Sequence, residues 1–433
     1  MKKAELYFIP QTSIDTVAII GGGVASICLM AELLKVRPEL KITLLCEDKK
    51  LGMAASGNKQ GAIYPHLQGS LSPLAQVNAL CYQYARDFYE SLAKAGIEFE
   101  HSWCGVLQQA HTQELAERFQ KVARVWPELV AYVDAETSSE LSGLKVPYPS
   151  LWYEQGGWLA PFQLCQNAAR YFSEEHQVDI RCDSQITDVH RRADKWQLAS
   201  ENSVGSENFD AVFICAGFKS VNLELAQNLP IEPTRGQVSR FHPNTVMASL
   251  KTVLCHKGYI TPAQPQYQCF GATFDKGNVQ PTVTEFDESV NFNQLQSIYK
   301  ATEWSHQLNQ ADIIGNKAGI RGNSPDHIPI VGPLYSDDWV RNNVDQNNGQ
   351  LKRKDKLKYV NAKGQADYQD NELCGLYVLT GLGARGLTTA PLLAKHLAEQ
   401  VFSQPNTMPE SLISAISPMR FQVRNLKRNK SNS

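Results

Sequence analysis

The sequence has no stretch able to cross a membrane as a helix and no overall excess of positive charge. None of its 433 residues lies in an apolar run approaching the roughly 18 residues that a membrane-spanning helix requires. The formal net charge is −2, so a nucleic-acid partner would have to be held by local basic patches. Residues 1–15 contain no apolar core of signal-peptide length. These absences predict a soluble protein of the cytoplasm with no membrane contact.

The ten cysteines form no C-x-x-C pair and share no repeated spacing with histidine. Metal sites and redox motifs usually show such spacings, so we expect no metal site in this chain. Reduced, mostly buried thiols are the expected state of these cysteines.

The most informative positive feature is a strand that runs directly into a glycine cluster. The strand-forming residues Val17–Ile20 precede three glycines, and an apolar helical pattern follows them. Such a βα turn presents backbone N–H groups to a dinucleotide pyrophosphate at a helix N-terminus. Gly21 permits the tight turn, Gly22 continues it, and Gly23 lets the backbone approach the phosphate. Ser26 stands where the third glycine of the usual pattern would be.

The residues after this turn favour a dinucleotide site over an ordinary glycine loop. Pro38 ends the helical pattern, and Ile42–Cys46 is typical of a second strand. Glu47 or Asp48 then stands where an acid would bind the adenosine ribose, and the sequence leaves both open. A glycine cluster alone is weak support, because loops often use glycine for positive φ. The strand, turn, helix, strand and acid together predict the site.

A second unit of the same kind lies near the other end of the chain. The strand Leu376–Thr380 runs into the glycine turn Gly381–Gly386, and the apolar helix Leu387–Phe402 follows. A further buried strand ends in the small residues Ala216 and Gly217, where a cofactor could approach the backbone closely. Two such units at opposite ends predict a discontinuous domain that closes around FAD from both termini. A nicotinamide dehydrogenase would more often use one compact N-terminal unit.

The fold class is therefore predicted as α/β (mixed α+β), with a discontinuous Rossmann-like FAD-binding domain and a β-rich substrate domain. Local signals also predict a helix that starts with Ser72 as N-cap and stops before Gly96, and another near residues 286–308. The FAD-binding domain is expected to comprise residues 16–100, 155–225 and 312–403, with a polar surface insertion at 338–372. The substrate domain is expected to comprise residues 101–154 and 226–311. Residues 1–15 would be an N-terminal tail or linker remnant, and residues 404–433 a basic C-terminal tail.

Several short motifs occur in one order along nearly the whole chain. They are Gly21–Gly23, Ala55–Asn58, Gly156–Trp158, Ala216–Gly217, Gly236–Gln237, Gly319–Arg321, Asp326–Gly332 and Gly381–Gly386. Their set resembles the D-amino-acid oxidase/glycine oxidase superfamily. A narrower resemblance, to the FAD-dependent oxidoreductase half of the bifunctional tRNA-modifying MnmC family, rests on the segment 52–65, Trp103–Val106, Gln155–Leu159, Gly319–Arg321 and the replacement of a glycine by Ser26.

This resemblance implies an FAD-dependent oxidoreductase that acts on a carbon–nitrogen bond in tRNA. The implied substrate is 5-carboxymethylaminomethyl-2-thiouridine at wobble position 34, and the implied products are 5-aminomethyl-2-thiouridine and glyoxylate. The family carries an S-adenosylmethionine-dependent methyltransferase domain ahead of the flavin half. Only about fifteen residues precede the first strand here, so we expect no methyl transfer from this chain. A methyltransferase domain acting in cis or in trans is an expected partner.

The resemblance also implies which residues hold the substrate. Arg321 stands where the superfamily places its carboxylate-binding arginine, and a guanidinium holds a carboxylate through two parallel hydrogen bonds. The alternative is a structural arginine paired with Asp326. Tyr259 is a candidate second contact through its hydroxyl, or else a packed core tyrosine. For His327 we favour a structural or flavin-adjacent role, because hydride removal from an amine needs only the unprotonated amine.

The expected FAD contacts come from separate parts of the chain. The first glycine turn would hold the pyrophosphate, and of the two acids the resemblance favours Asp48 for the ribose. The full set is Gly21, Gly22, Gly23, Ser26, Glu47, Asp48, Ser56, Asn58, Gln60, Gly61, Val189, Ala216, Gly217, Gly383, Ala384, Arg385, Gly386 and Leu387.

The signals for tRNA binding, through the anticodon loop, are two basic stretches. The run Lys352–Lys358 and the tail Arg420–Lys430 could contact phosphates or simply be solvated surface. Two other functions remain open at this point. One is an oxidase of a free amine such as glycine, sarcosine or a D-amino acid. The other is a flavin-holding, tRNA-binding scaffold without turnover of its own.

Overall fold

The computed structural model describes residues 14–200, 203–204, 207–243, 247–345 and 371–431. None of the helices in these ranges is long and apolar enough to span a bilayer. Most of the expected polar insertion, including Lys352–Lys358, lies outside the described residues. All ten cysteines are described, and all carry free thiols.

The strands are short and are spread along the whole described chain. In chain order they are β1 (Thr16–Ile20), β2 (Lys41–Leu45), β3 (Gly61–Ile63), β4 (His101–Ser102), β5 (Val106–Gln109), β6 (Ala131–Val133), β7 (Ser150–Tyr153), β8 (Gly157–Leu159), β9 (Val178–Arg181), β10 (Ile186–Arg192), β11 (Lys195–Ser200), β12 (Ser203–Val204), β13 (Ala211–Ile214), β14 (Glu232–Phe241), β15 (Val253–Cys255), β16 (Tyr259–Ile260), β17 (Gln268–Gly271), β18 (Asp275–Lys276), β19 (Ile313–Asn323), β20 (Ile330–Pro333) and β21 (Leu376–Thr380).

The helices alternate with strands in the first half and gather at the C-terminus. They are α1 (Val24–Val36), α2 (Pro73–Lys94), α3 (Gln113–Val125), α4 (Ala135–Ser142), α5 (Pro161–Glu175), α6 (Glu285–Tyr299), α7 (Glu303–His306), α8 (Asp337–Asp345), α9 (Gly386–Val401), α10 (Glu410–Ile416) and α11 (Met419–Ser431). Short 3-10 turns occur at Gly217–Asn222, Glu224–Ala226, Gln310–Asp312 and Gly383–Arg385.

One sheet joins the two ends of the chain. Its strand order is β20-β21-β13-β1-β2-β9, and every neighbouring pair is parallel except β20 with β21. Its strands are almost continuously apolar, as expected when a parallel sheet is buried on both faces. The helices α1, α2 and α9 pack together against it. The predicted strand, glycine turn and helix units at both ends of the chain are therefore confirmed and are brought into one layer.

The second large sheet has nine strands and is mostly antiparallel. Its order is β18-β14-β17-β16-β15-β5-β7-β6, with β19 paired to β14. A core of large side chains covers it, including the stacked rings of Phe241 and Phe270, and α6 contributes Phe292. Strand β19, which the expected boundaries gave to the cofactor domain, lies in this second sheet. Its long pairing with β14 places it there.

Of the two helices predicted from capping signals and periodicity, one is confirmed and the other is interrupted. Helix α2 begins at Pro73, and the Ser72 side chain accepts a hydrogen bond from the Ala75 N–H, as predicted. The helix expected near residues 286–308 is broken after Tyr299. The hydroxyls of Thr302 and Ser305 both donate to the Tyr299 main-chain oxygen, which takes that carbonyl out of the helical ladder.

Candidate active site

The glycine turn after β1 is shaped by the two strands beside it. Gly21 has φ 123°, and its N–H donates to the main-chain oxygen of Leu45 on β2 at 2.8 Å. A Cβ at this position would lie 2.5 Å from the main-chain oxygen of Cys215, which follows β13. Both the positive φ and the lack of space require glycine, so the turn can pass close to the sheet only with this residue.

The first turn of α1 remains close to an open cavity. Gly23 is the N-cap of α1 and has no side chain to accept from the helix N–H groups. Ser56, from the loop before β3, accepts a hydrogen bond from the Val24 N–H at 3.0 Å. The positive end of the helix dipole and the remaining N–H groups therefore face this region, an arrangement that suits a phosphate group.

A cavity of about 840 Å³ connects this turn with the second glycine turn and with the nine-stranded sheet. It reaches the carboxyl ends of β1, β13 and β21, where ligands of parallel sheets usually bind. Most of the sequence-predicted residues line it. These are Gly21, Gly22, Gly23, Glu47, Asp48, Ser56, Asn58, Gly61, Ala216, Gly217, Tyr259, Arg321, Gly383, Ala384, Arg385, Gly386 and Leu387.

Ser26, Gln60 and Val189 are not brought to the cavity. Ser26 is fully buried on α1, beside the thiol of Cys215. Val189 is buried in the middle of β10, where it pairs with Leu198. The backbone of Val189 is thus used in an antiparallel ladder.

Gln60 has a structural position instead of a cavity position. Its side-chain oxygen accepts from the Thr261 hydroxyl at 2.7 Å, and its side-chain nitrogen donates to the main-chain oxygen of Pro262 at 3.0 Å. The Cys269 N–H donates to the same side-chain oxygen at 3.3 Å. Gln60 therefore ties the cofactor-side loop to strands of the second sheet.

The two acids after β2 both line the cavity but have different surroundings. Glu47 forms an ion pair with Lys219 at 2.6 Å. Asp48 forms no ion pair within the described chain. Burial raises the pKa of Asp48, and the neighbouring Glu47 charge raises it further. Because Glu47 already has a counter-ion, Asp48 is the carboxylate left to accept hydrogen bonds from a ligand.

Arg321 is held by packing rather than by an acid. It lies on β19 opposite Thr234, and its Nη1 donates to the main-chain oxygen of Thr273 at 3.4 Å. Its guanidinium also lies over the Phe274 ring, 4.5 Å from the ring centroid. No carboxylate pairs with it among the residues that the structure describes. Burial lowers the pKa of Arg321, although an arginine of this kind remains charged.

Gly236 explains how such a large side chain fits between strands. It lies two residues beyond Thr234 on β14, and a Cβ there would overlap the Arg321 guanidinium. The Gly236–Gln237 motif carried part of the sequence resemblance, yet no local signal connected it with Arg321. The connection depends on the register between two strands that are far apart in sequence.

The alternative partner for Arg321 is already occupied by another arginine. Asp326 accepts from Arg420 through both carboxylate oxygens, each at 3.0 Å. Arg420 also donates to the main-chain oxygen of Ile328 at 2.7 Å. The pairing of Arg321 with Asp326 is therefore wrong. Arg420, counted above as part of a basic tail, is used inside the fold, and the tail forms α10 and α11.

Tyr259 and Arg385 complete the polar lining near Arg321. The Tyr259 hydroxyl donates to the main-chain oxygen of Gln60 at 3.1 Å, and burial raises the pKa of this tyrosine. The Arg385 guanidinium lies over the Tyr64 ring at 3.8 Å and, in the described chain, has no acidic partner. The cavity thus holds two guanidinium groups without carboxylates, which makes this end favourable for an anion.

Sequence reasoning missed two histidines of the lining. His66 lines the cavity with an exposed side chain, and desolvation together with the charge of Arg385 lowers its pKa to about 4. Burial lowers the pKa of His256 to about 3, and its Nδ1 accepts from the Gly258 N–H at 3.1 Å. Both rings are therefore neutral at pH 7. Neither has a neighbouring sequence pattern that would have identified it.

Comparison with known proteins identifies a family from the sequence. Residues 16–400 match the family described as FAD dependent oxidoreductase (DAO). The chain is 36% identical over 440 residues to a tRNA 5-methylaminomethyl-2-thiouridine biosynthesis bifunctional protein MnmC of Pseudoalteromonas translucida, covering 99% of this chain and 62% of the relative. For the protein of the same name from Aliivibrio fischeri, the values are 33% identity, 97% and 60%.

The chain thus spans about three fifths of the length of these curated relatives. A crystal structure of glycine oxidase from Geobacillus kaustophilus superposes with a TM-score of 0.72 at 18% identity, covering 94% of this chain and 98% of that one. At that identity the likeness establishes the fold only. The glycine turn that excludes a Cβ, the acid without a counter-ion and the shared cavity fit an FAD cofactor. The chain belongs to the FAD-dependent oxidoreductase (DAO) family.

Proposed function

We propose that this chain oxidatively removes the carboxymethyl group from 5-carboxymethylaminomethyl-2-thiouridine at the wobble position of tRNA. The observation that carries the proposal is Arg321, whose guanidinium lines the cavity of the glycine turns and has no acidic partner in the described chain. Such a group calls for a carboxylate from outside. The names of the MnmC relatives supply the chemical context, a modified uridine of tRNA.

The reaction is the oxidation of a glycine unit attached through its nitrogen. FAD, when bound, takes up the hydride, that is, two electrons and one proton, from the carbon between nitrogen and carboxylate. The carbon–nitrogen single bond becomes an imine as the nitrogen loses its proton. Water then adds to the imine and the carbon–nitrogen bond breaks. The amine stays on the uridine as 5-aminomethyl-2-thiouridine, and glyoxylate leaves.

The residues of the chain orient the substrate and set its protonation. Arg321 would hold the carboxylate through two charge-assisted hydrogen bonds, and Tyr259 would add a contact through its hydroxyl. The second guanidinium, Arg385, lies at the same cavity. Positive charges near an amine disfavour its ammonium form, and the oxidation requires the neutral amine. The cationic lining thus supports both binding and reaction.

We assign the cofactor contacts as part of the same proposal. The N–H groups beside Gly21–Gly23 would hold the pyrophosphate, and Asp48 would bind the ribose. Ser56, Asn58 and Gly61 would lie along the flavin. The turn from Gly383 to Leu387 precedes α9, whose N-terminal dipole would stabilise negative charge on the reduced flavin.

The wider setting of the activity belongs to the proposal as well. The anticodon loop would supply the wobble nucleotide in an unstacked form, and the enzyme would work in the cytoplasm, where tRNA is modified. The relatives are named bifunctional. We therefore propose that a methyltransferase domain, in cis or in trans, acts on the aminomethyl group that this chain leaves on the uridine.

Nucleoside mass spectrometry of undermodified tRNA tests the reaction directly. We expect the mass of the carboxymethylaminomethyl nucleoside to be replaced by that of the aminomethyl nucleoside, with glyoxylate formed in equal amount. Oxidation of free glycine, sarcosine or a D-amino acid with unchanged tRNA would instead identify a small-amine oxidase. Binding of tRNA without any flavin reduction would identify a scaffold.

The Arg321→Ala variant tests the residue that carries the proposal. It should retain FAD absorbance and reduction by dithionite, but anaerobic mixing with undermodified tRNA should no longer bleach the flavin. Arg321→Lys is the matched control, because it keeps the charge and loses the planar two-pronged geometry. We expect it to be intermediate. Bleaching at the wild-type rate in Arg321→Ala would contradict the assignment.

A further inference from the structure

The mouth of the cavity carries an exposed apolar loop. Within the described chain, seven large hydrophobic side chains are exposed, and four of them lie between residues 274 and 286. They are Phe274, Val279, Val283 and Phe286. Phe274, Val279 and Pro281 also line the cavity. Apolar side chains therefore stand in solvent where a substrate would enter, and such clusters usually mark a binding surface.

Buried contacts fix the position of this loop. Arg235 forms an ion pair with Asp287 at 2.7 Å and also donates to the main-chain oxygen of Thr282. The Gln237 side chain bonds the backbone of Thr284 twice, accepting from its N–H and donating to its oxygen, each at 2.9 Å. These contacts hold the loop where it joins α6. The fold therefore keeps the apolar side chains of the loop in solvent.

Phe274 is the member of this group that reaches the substrate site. Its ring is 59% exposed, and the Arg321 guanidinium lies over it at 4.5 Å. The residues on either side of Phe274 are held in place. The Thr273 hydroxyl accepts a hydrogen bond from the Gln237 N–H at 3.0 Å, and Asp275 on β18 lies opposite Arg235 on β14 in the sheet. The ring is thus a fixed aromatic surface beside the proposed carboxylate-binding group.

We propose that Phe274 is the stacking surface for the uracil ring of the substrate, an inference that rests on the proposed function. Four single bonds separate the carboxyl carbon of the substrate from the uracil ring, a span of about 5 Å at most. The central carbon of the Arg321 guanidinium lies 4.5 Å from the centroid of the Phe274 ring. A carboxylate bound to Arg321 therefore places the attached ring within reach of Phe274.

The location favours the substrate nucleotide over a protein partner as the occupant. Any partner that covered Phe274, Val279 and Pro281 would close the cavity to the substrate. Single-stranded RNA is commonly recognised by stacking splayed bases on aromatic side chains and arginine planes. Phe274 provides such an aromatic surface beside Arg321, the proposed carboxylate-binding group.

Steady-state kinetics of full-chain Phe274 variants with undermodified tRNA test this inference. Loss of base stacking in Phe274→Ala should raise KM on the order of 5- to 100-fold. Phe274→Tyr should restore KM, whereas Phe274→Leu, which is apolar but cannot stack, should behave like alanine. Phe286→Ala is the matched control, since Phe286 lies on the first turn of α6, is 77% exposed and is not part of the cavity lining.

An unchanged KM in Phe274→Ala would overturn the inference while the proposed function stands. Full activity of Phe274→Leu would also overturn it, because apolar cover alone would then suffice. If wild-type protein binds the tRNA but does not oxidise it, the proposed function fails and binding decides the inference. In that case the dissociation constant of an anticodon stem-loop should be higher for Phe274→Ala and Phe274→Leu than for wild type, Phe274→Tyr and Phe286→Ala. Equal dissociation constants would overturn the inference.

Discussion

At the scale of single residues, the position of Arg321 depends on what its neighbours lack. Gly236 provides no Cβ, and the described residues provide no carboxylate counter-ion. The contacts that remain are the main-chain oxygen of Thr273 and the ring of Phe274. A charged group supported in this way keeps its remaining hydrogen-bond donors for a ligand.

This arrangement makes Gly236→Ala a sensitive test of the site. The added Cβ would overlap the Arg321 guanidinium, so the side chain must move although no polar group is removed. A displacement of about 1 Å can lower catalytic efficiency on the order of 100-fold. We expect kcat/KM to fall by such a factor, with FAD content unchanged.

A double-variant cycle provides the control for Gly236→Ala. In an Arg321→Ala background the added methyl group has no guanidinium to displace, so the second substitution should cause no further loss. Additive losses in the double variant would show that Gly236 acts independently of Arg321.

The sequence identified residues whose role depends on their immediate neighbours. Gly21 could be predicted because the strand before it and the helix after it are contiguous in sequence. The role of Gly236 could not, because it depends on the pairing of β14 with β19, some eighty residues later in the chain. Gln60, expected at the flavin, lies outside the cavity lining, and its contacts with Thr261 and Pro262 likewise join segments far apart in sequence.

At the scale of elements, the loop after β18 shows how a polar core can support an exposed surface. Its return end is fastened by Arg235 and Asp287, whose side chains are only 3% and 10% exposed. Burial alone raises the pKa of Asp287, but hydrogen bonds from Thr284 and Arg235 outweigh it, and the pKa lies below its ordinary value. The aspartate is therefore ionised and paired at neutral pH.

Removing the charge of Asp287 should destabilise the protein strongly. In Asp287→Asn the buried Arg235 guanidinium loses its counter-ion, and breaking a buried pair in this way typically costs about 3–5 kcal/mol. Urea denaturation should show a loss of this size in the free energy of unfolding. Glu285→Gln, on the exposed first turn of the same helix, should change it by less than about 0.5 kcal/mol. Equal stabilities of the two variants would refute the role of the pair.

Element boundaries were predictable where side chains next to the boundary set them. Ser72 and Pro73 start α2 through a cap and a proline that need no tertiary partner. The basic segment after residue 404 was instead expected to be a tail, because its charges suggested solvent or phosphate. It instead forms α10 and α11, which bury Leu412, Ile416 and Phe421 in the core. Arg420 on α11 also contacts Asp326 and Ile328, and composition does not indicate these contacts.

At the scale of the whole molecule, aspartates connect both ends of the chain to the six-stranded sheet, through hydrogen bonds near the N-terminus and through an ion pair near the C-terminus. Near the N-terminus, the Asp210 carboxylate accepts from the N–H and the hydroxyl of Thr16, at 2.9 and 2.8 Å. Near the C-terminus, Arg420 on α11 holds Asp326 in the turn before β20. The domain boundaries predicted from the sequence remain a prediction.

The ion pair between Arg420 and Asp326 should make the stability of the protein depend on pH in the acid range. Burial alone raises the pKa of Asp326, but the Arg420 charge and hydrogen bonds outweigh it, and the pKa is lowered. A carboxyl group with a lowered folded-state pKa stabilises the protein above its ordinary pKa near 4, and this contribution is lost as the pH falls through the folded-state value. Wild-type protein should therefore lose this contribution as the pH falls below about 5.

Asp326→Asn removes that contribution at every pH. At pH 7 it should lower the free energy of unfolding by roughly 1.5–3 kcal/mol, the range for a hydrogen bond to a charged group. The difference from wild type should shrink as the pH falls, because protonated Asp326 and asparagine then pair equally poorly with Arg420. Urea denaturation at several pH values would show two curves that converge at low pH. Asp194→Asn, which changes an exposed turn, should run parallel to wild type. A constant offset between Asp326→Asn and wild type would mean that Asp326 supports the fold by shape and not by its charge.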